Sequence, residues 1–239
     1  MIADPLGLAE DVDRATRAVL ATAGRLDDAE VAGASGLPGW TRGHVLTHLA
    51  RNADGAVNLL TWGRTGLATP QYASMEQRTL DIEAGAPRGA AEQLADLTDA
   101  CARFAEAVAR MTAEAWTTEV RWTSGRTAPA AHVMWSRLQE VEIHHVDLAA
   151  GYGPDDWPTA FTLRLLREST RSFGRRDDGP RVVLRTPEVG HDLVIGEGTT
   201  TPVISGPATT AVAWLIGRGA GDGLVVEPAG PLPPVPPLG

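Results

Sequence analysis

The sequence predicts an α+β protein, with an N-terminal four-helix bundle followed by a small α+β C-terminal domain. Apolar residues recur at helical spacing through the first two thirds of the chain, which indicates several long amphipathic helices. Four such helices commonly pack as a bundle. After residues 151–154 the pattern changes to short β-rich runs. We therefore predict one domain over 1–153, a second over 154–228, and an extended proline-rich tail over 229–239.

The long helices of the first domain are predicted up to about residue 27 and over about 41–62, 89–111 and 129–150. Thr41 is suited to cap the second, because its hydroxyl can accept a hydrogen bond from an orphan amide of the first turn. Pro129 is suited to the first turn of the fourth. We expect the segment over 63–88 to be looser, and the segment over 115–127 to be irregular or a short strand pair.

The C-terminal domain shows a different pattern. Two helices are predicted, over 158–173 and over 207–218, each opening at a proline. Four short strands are predicted over 181–186, 192–196, 202–205 and 224–227. Together they make a small α+β unit of the kind that packs helices against one sheet.

Composition argues against several functional classes. The formal net charge is −9 and the pI is near 5.1, which argues against a nucleic-acid surface and against docking on an anionic membrane. No apolar stretch approaches the roughly 18 residues of a membrane span. The single cysteine, Cys101, precludes an intrachain disulfide and fits a reducing compartment. We expect a soluble, cytoplasmic protein, and the sequence leaves the oligomeric state open, a monomer included.

Glu140 and His144 form the most informative pair in the sequence. They are four residues apart on a predicted helix, so their side chains stack on one face about 6 Å apart along the axis. A carboxylate and an imidazole at that spacing can chelate one metal ion. Glu142 is expected to point away from this face, and His132 lies about 12 Å along the axis from Glu140, too far to share the ion. A solvated pair on a helix face has the same spacing, and spacing alone leaves that alternative open.

A third ligand is expected from a facing helix. His44 and His48 are the candidates, again four residues apart. We favour His48, because it lies deeper in its helix while His44 falls in the first turn, where polar residues are common. Two histidines and one carboxylate suit zinc with an open coordination position, and the same set suits iron or nickel.

Three segments resemble a known family. Residues 40–54 (WTRGHVLTHLARNAD) resemble the N-terminal signature of the mycothiol-dependent maleylpyruvate isomerases, which belong to the DinB/YfiT-like metal-binding helical bundles. Residues 140–148 (EVEIHHVDL) resemble the second signature, and 214–218 (WLIGR) resemble the end of the family's C-terminal domain. The resemblance implies zinc held by His48, Glu140 and His144, mycothiol as a small-molecule thiol cosubstrate, and an electrophilic substrate.

The resemblance implies a cis–trans isomerase. A thiolate would add to a cis double bond conjugated to a carbonyl, the resulting single bond would rotate, and elimination would give the trans product and return the thiol. A mycothiol S-transferase would use the same site but consume the thiol. A non-catalytic metal-binding or small-ligand-binding module is a further alternative, which His48→Ala would favour if it removed the metal and left the biological activity intact.

Five residues outside the metal set are candidates for binding substrate or thiol. Arg78 and Arg218 resemble positions that the family uses near its active site, and an arginine fork suits a substrate carboxylate. Asn52 and Asp54 follow His48 by about one turn, and Asp147 follows His144 by three residues, so each is a candidate to hold a ligand or bind the thiol's sugar. Helix capping or ordinary surface exposure is the alternative for each. Cys101 falls on an apolar helix face and is expected to be an inert core residue.

Overall fold

The computed structural model describes residues 4–196 and 201–237 and divides into two compact units, Met1–Gly151 and Tyr152–Gly239. The first unit is mainly helical and the second combines helices with a sheet, which confirms the predicted α+β class. In the described residues, no helix is both long enough and apolar enough to cross a membrane. The division falls at Gly151, which has a positive φ of 92°.

The first unit contains a bundle of four long helices. Its elements in chain order are α1 (Pro5–Ala23), α2 (Asp28–Ala32), α3 (Arg42–Thr65), α4 (Met75–Gly85), α5 (Ala90–Ala109), α6 (Ala113–Thr117), β1 (Glu119–Arg121), β2 (Thr127–Pro129) and α7 (His132–Asp147). Helix α3 packs against α5 and α7, and α1 packs against the same two helices, so the four close around one core. Val19, Leu49, Leu97 and Val141 are fully buried in this core.

The start of α3 follows the prediction. The Thr41 hydroxyl accepts a hydrogen bond from the His44 amide, and the His44 side chain accepts one from the Thr41 amide. This reciprocal pair is a capping box, which satisfies two amides that have no helical partner. The helix ends at Thr65, three residues beyond the predicted end. It stops there because the next residue, Gly66, adopts the left-handed conformation (φ 72°) that commonly terminates a helix.

Helix α4 lies in the segment over 63–88, which was predicted to be looser, so the structure corrects that prediction. Ser74 caps this helix by accepting from the Gln77 amide at 2.9 Å. Only Ile82 and Gly85 are buried along its length, so the helix lacks the apolar stripe on which the sequence prediction depends.

The predicted start of the fourth long helix and the predicted end of the first are wrong. Pro129 does not open the fourth helix. It lies in β2, paired with Glu119 of β1, and α7 begins three residues later. Helix α1 ends at Ala23 instead of near Asp27, and Asp27 instead caps α2 through a capping box with Glu30.

The second unit has the elements that the sequence predicts, each shorter by one to four residues. They are α8 (Thr159–Phe173), β3 (Val182–Arg185), β4 (Leu193–Ile195), β5 (Val203–Ser205), α9 (Ala208–Leu215) and β6 (Val225–Glu227), with a short 3-10 turn at Pro154–Asp156. The sheet order is β4-β3-β5-β6, with β3 and β5 parallel and the other pairs antiparallel. Helix α8 packs against α9 and β4. From Pro228 to Pro237 the chain has no regular secondary structure.

Candidate metal centre

His48, Glu140 and His144 come together between α3 and α7. One donor atom from each lies within 4.8 Å of the other two, and within the described ranges this is the single His, Cys, Asp or Glu cluster with that geometry. Glu140 Oε2 is 3.0 Å from His48 Nε2 and 3.4 Å from His144 Nε2. The two imidazole rings stand nearly perpendicular, with centroids 4.4 Å apart. We call these three residues the triad.

Helical geometry explains why these residues meet. Glu140 and His144 stack one turn apart on α7, and His48 faces them from the second turn of α3, where it is 3% exposed. His44 is not a member, because its ring is used in the capping box and lies 3.4 Å from Glu83. His132 Nδ1 lies 3.2 Å from Arg126 instead.

Each histidine of the triad has a partner at Nδ1, which leaves Nε2 directed at Glu140. Asp147 Oδ2 accepts a hydrogen bond from His144 Nδ1 at 2.8 Å. Arg78 Nη2 lies 2.9 Å from His48 Nδ1, and because a guanidinium only donates, this nitrogen must accept. The His48 ring proton is therefore on Nε2, from which it is donated to Glu140. The edge of the Trp40 ring system also packs against His48, with centroids 5.7 Å apart.

These partners set the charges of the triad. Burial lowers the pKa of His48 to about 4, which the hydrogen bond to Glu140 opposes only in part, so this ring is neutral at pH 7. Burial also acts to lower the pKa of His144, but hydrogen bonds to Asp147 and Glu140 outweigh it and raise that pKa to about 8. Burial acts to raise the pKa of Glu140, yet hydrogen bonds from His144 and His48 hold it well below its usual range. The arrangement is one imidazolium and one neutral imidazole around a carboxylate.

The comparison with known families bears on this geometry. A family model described as the mycothiol maleylpyruvate isomerase N-terminal domain matches residues 12–149, more than half of the chain. The chain belongs to this family. The match spans both halves of the triad, on α3 and on α7.

Solved structures agree with the family over nearly the whole chain. The crystal structure of the mycothiol-dependent maleylpyruvate isomerase has a TM-score of 0.92 and 30% identity, covering 98% of this chain and 97% of the other. The structure of a histidine-to-alanine mutant of a mycothiol-dependent maleylpyruvate isomerase gives the same TM-score and coverage at 29% identity. A comparison with curated protein sequences found no match.

In this member of the maleylpyruvate isomerase family, Asn52 is buried one turn beyond His48. Its Oδ1 accepts from Arg137 Nη1 at 2.8 Å, and the same nitrogen donates to the Leu49 carbonyl at 2.9 Å. The other terminal nitrogen of Arg137 lies 3.5 Å from the sulfur of Cys101, which is 8% exposed. Arg137 therefore fixes the orientation of the Asn52 amide.

The remaining candidates fall in different places. Asp54 lies on the side of α3 that faces α5, where Arg103 donates to it at 2.7 Å and Arg51 lies 3.2 Å away, so the structure does not bring it into the triad. Arg218 belongs to the second unit, and its Nη1 donates to the Ile216 carbonyl at 2.9 Å. Asp147 and Arg78, in contrast, contact the triad directly.

Tyr72 is a residue that the sequence reasoning missed. It lies in the loop between α3 and α4, with the Arg78 guanidinium carbon 5.6 Å from its ring centre. Arg78 and Asn52 both act on its hydroxyl, and each acts to lower the pKa of Tyr72. Loop residues have no periodicity that shows which way their side chains face. The one feature of the sequence that could have drawn attention to Tyr72 is that the chain has only two tyrosines.

Proposed function

We propose that this protein is a zinc-dependent and mycothiol-dependent isomerase that converts a maleylpyruvate-type cis substrate to its trans isomer. The observation that carries the proposal is the triad, with three donor atoms within 4.8 Å, in a chain that aligns over 98% of its length with a mycothiol-dependent maleylpyruvate isomerase.

The chemistry of the triad suits zinc. Two imidazole nitrogens and a carboxylate oxygen are typical ligands of a catalytic zinc site, which keeps a fourth position open. The Asp147 carboxylate at His144 Nδ1 is the usual outer partner of a zinc-bound histidine, because it fixes the ring and increases its basicity. The low pKa of Glu140 means that its carboxylate is ionised at pH 7 and ready to bind a cation. His48 is neutral at pH 7, so binding through Nε2 requires its ring proton to shift to Nδ1 and the Arg78 contact there to be exchanged.

A zinc ion held by the triad would keep a coordinated thiol in its thiolate form at neutral pH. We infer that the sulfur belongs to mycothiol, since Cys101 is the only cysteine and is buried beside Arg137. In the isomerisation, the thiolate sulfur forms a bond to a carbon of the cis double bond, and the double bond becomes a single bond. The new single bond rotates, and the reverse elimination gives the trans alkene and regenerates the thiol.

The chain offers cations for the carboxylates of such a substrate. Arg78 is beside the triad, at 2.9 Å from His48 Nδ1, and we propose that its guanidinium binds one substrate carboxylate. We propose the same role for Arg218, on the basis of the family resemblance. Asp54 is already held by two arginines, so a role in binding the sugar of the thiol would require it to exchange these ion pairs.

A reducing environment would keep both Cys101 and a free thiol cosubstrate reduced, and for this reason we propose that the enzyme works in the cytoplasm.

The direct test is to purify the protein, measure bound zinc, and assay maleylpyruvate with and without mycothiol. We expect about one zinc per chain, turnover only with mycothiol, and full recovery of the thiol. Consumption of the thiol would instead identify an S-transferase. No turnover at full zinc occupancy would reject the isomerase.

A pair of histidine variants tests the triad. We expect His48→Ala to weaken zinc binding by more than the roughly 10- to 100-fold typical of losing an outer partner, because it removes a ligand. The matched control is His132→Ala, which removes a histidine on α7 that contacts Arg126 instead of the triad. Equal zinc affinities in the two variants would contradict the assignment of His48 as a ligand.

A further inference from the structure

Tyr72 packs on the face of α3 that carries His48. A Cβ at position 55 would lie 2.9 Å from Tyr72 Cε1, so glycine at this position leaves room for the ring. Gly55 follows His48 by seven residues, which is two helical turns, and Asn52 lies between them on the same face. The loop is held there from both sides, since Asn58 donates to the Gln71 carbonyl and the Gln71 side chain accepts from Thr123.

Arg78 links the tyrosine to the triad. Its Nη2 is 2.9 Å from His48 Nδ1, and its Cζ is 5.6 Å from the centre of the Tyr72 ring. The charge of Glu140 also acts on the Tyr72 hydroxyl. The hydroxyl therefore lies within electrostatic reach of the position that a substrate bound at the triad would occupy.

The two polar groups that act on the hydroxyl are donors, which leave its proton available. Arg78 has only donors. Asn52 Oδ1 already accepts from Arg137 at 2.8 Å, so the amide nitrogen of Asn52 is its donor group toward the tyrosine. Both groups act to lower the pKa of Tyr72, as donors to a phenolate oxygen do, so neither is an acceptor for the hydroxyl proton.

The hydroxyl also remains protonated at neutral pH. Burial raises the pKa of Tyr72, and the negative charge of Glu140 adds to this effect, while Arg78 and Asn52 oppose it. The tyrosine is thus a neutral O–H donor next to a cationic guanidinium, a combination that suits an oxygen on which negative charge develops.

We propose that Tyr72 is a catalytic residue that donates a hydrogen bond to the carbonyl oxygen of the electrophilic substrate. This inference depends on the proposed function. When the thiolate forms its bond to carbon, the electron pair of the double bond moves to the carbonyl oxygen and makes an enolate. When the carbon–sulfur bond breaks after rotation, that pair returns to form the trans double bond. Tyr72 keeps its proton throughout, and its hydrogen bond is strongest while the oxygen is charged.

Tyr72→Phe tests the proposal, because it keeps the ring and removes only the hydroxyl. With zinc and mycothiol bound, we expect kcat to fall about 100- to 1,000-fold, the usual effect of losing one oxyanion donor. Zinc content and the KM for mycothiol are expected to stay within about twofold of wild type, since neither depends on the carbonyl. Tyr152→Phe is the matched control, at the chain's other tyrosine, whose hydroxyl donates to the Asp156 carbonyl.

A binding measurement gives a second readout that does not need turnover. The ligand 2,4-dioxopentanoate has an enolisable dicarbonyl unit but lacks the double bond to which a thiol adds. By calorimetry we expect its Kd to rise about tenfold in Tyr72→Phe and to stay unchanged in Tyr152→Phe.

The outcomes separate this inference from the proposed function. Absence of wild-type turnover rejects the isomerase, and the calorimetric comparison then decides whether Tyr72 binds a carbonyl oxygen. Normal wild-type turnover with equal kcat and Kd in both variants overturns the role of Tyr72 and leaves the isomerase standing. Loss of zinc from Tyr72→Phe also overturns it, because the tyrosine would then act by positioning the triad.

Discussion

His48 and His144 are two largely buried histidines whose pKa values differ. Both are largely buried and both contact Glu140. His144 also has the Asp147 carboxylate at Nδ1, whereas His48 has the Arg78 guanidinium there. Burial lowers the pKa of His48 to about 4, and Arg78 adds a smaller effect in the same direction, whereas for His144 the hydrogen bonds to Asp147 and Glu140 outweigh burial and raise the pKa to about 8.

This difference predicts how zinc binding depends on pH. A metal ion needs the free lone pair of His144, and below pH 8 that nitrogen carries a proton which zinc must displace. The apparent zinc affinity should therefore rise about tenfold per pH unit between pH 6 and 8, and level off above pH 8. Competition with a chromophoric chelator at pH 6, 7, 8 and 9 measures this.

Asp147→Asn supplies the control for the pH experiment. Removing the carboxylate charge takes away the largest contribution that raises the pKa of His144, so the levelling-off should move to lower pH. A zinc affinity that does not change between pH 6 and 8 in the wild-type protein would show that His144 is not the titrating ligand.

At the scale of elements, α3 is the helix on which the candidate site is built. It contributes the triad histidine, the buried amide of Asn52 and the glycine under Tyr72. Gly43, in its first turn, lies directly against the carbonyl of Ala86, just after the end of α4. The buried Gln93 of α5 donates to the carbonyls of Gly85 and Ala86 at the end of α4. This close approach holds α4, and with it Arg78, against α3.

Gly43→Ala is expected to lower the free energy of unfolding by about 1–3 kcal/mol, because the added Cβ overlaps the Ala86 carbonyl and forces the two helices apart. Denaturant unfolding followed by circular dichroism measures this change.

Gly7→Ala is the matched control for the Gly43 variant. It also replaces a helical glycine, but its nearest neighbour is Asp4 Oδ2 at 3.6 Å, an ordinary contact. We expect its stability to be unchanged or slightly higher, since alanine favours helices. An equal change in both variants would mean that the contact with Ala86 adds no constraint.

At the scale of the whole molecule, the candidate groups are divided between the two units. The triad, Arg78 and Tyr72 lie in Met1–Gly151, whereas Arg218 lies in Tyr152–Gly239. Metal binding is therefore predicted to be separable from the contribution of Arg218 to substrate recognition, and the proposed domain boundary at residue 153 gives a way to separate them.

A fragment of residues 1–153 should bind zinc within about threefold of the affinity of the full chain, because it holds all three ligands, and should fail to isomerise maleylpyruvate. Full-length Arg218→Ala should likewise bind zinc normally, with a raised KM for substrate or a loss of turnover, since it lacks one proposed carboxylate partner. Zinc titration and the isomerase assay measure both. Full activity of the fragment would rule out a role for Arg218.

The sequence by itself determined the features that depend on neighbours along the chain. Helical periodicity predicted the four long helices and placed Glu140 and His144 on one face, because side chains four residues apart on a helix stack whatever surrounds them. The Thr41 cap was predictable for the same reason. Helix α4 was not, since it buries too few apolar residues to show a stripe.

Only the tertiary structure decided which groups meet across elements. The sequence favoured His48 over His44 but could not place either against α7, because that distance depends on how α3 packs in the bundle. Likewise, no local pattern places Tyr72, whose loop position is fixed by contacts with Gly55, Asn52 and Arg78. The sequence thus determined that Glu140 and His144 lie on one face of a helix. Folding brought the third donor, His48, and the hydroxyl of Tyr72 to them. The helical repeat fixes the relative positions of side chains that are close in sequence. A site that is formed by two helices and a loop exists only when these three elements have packed together.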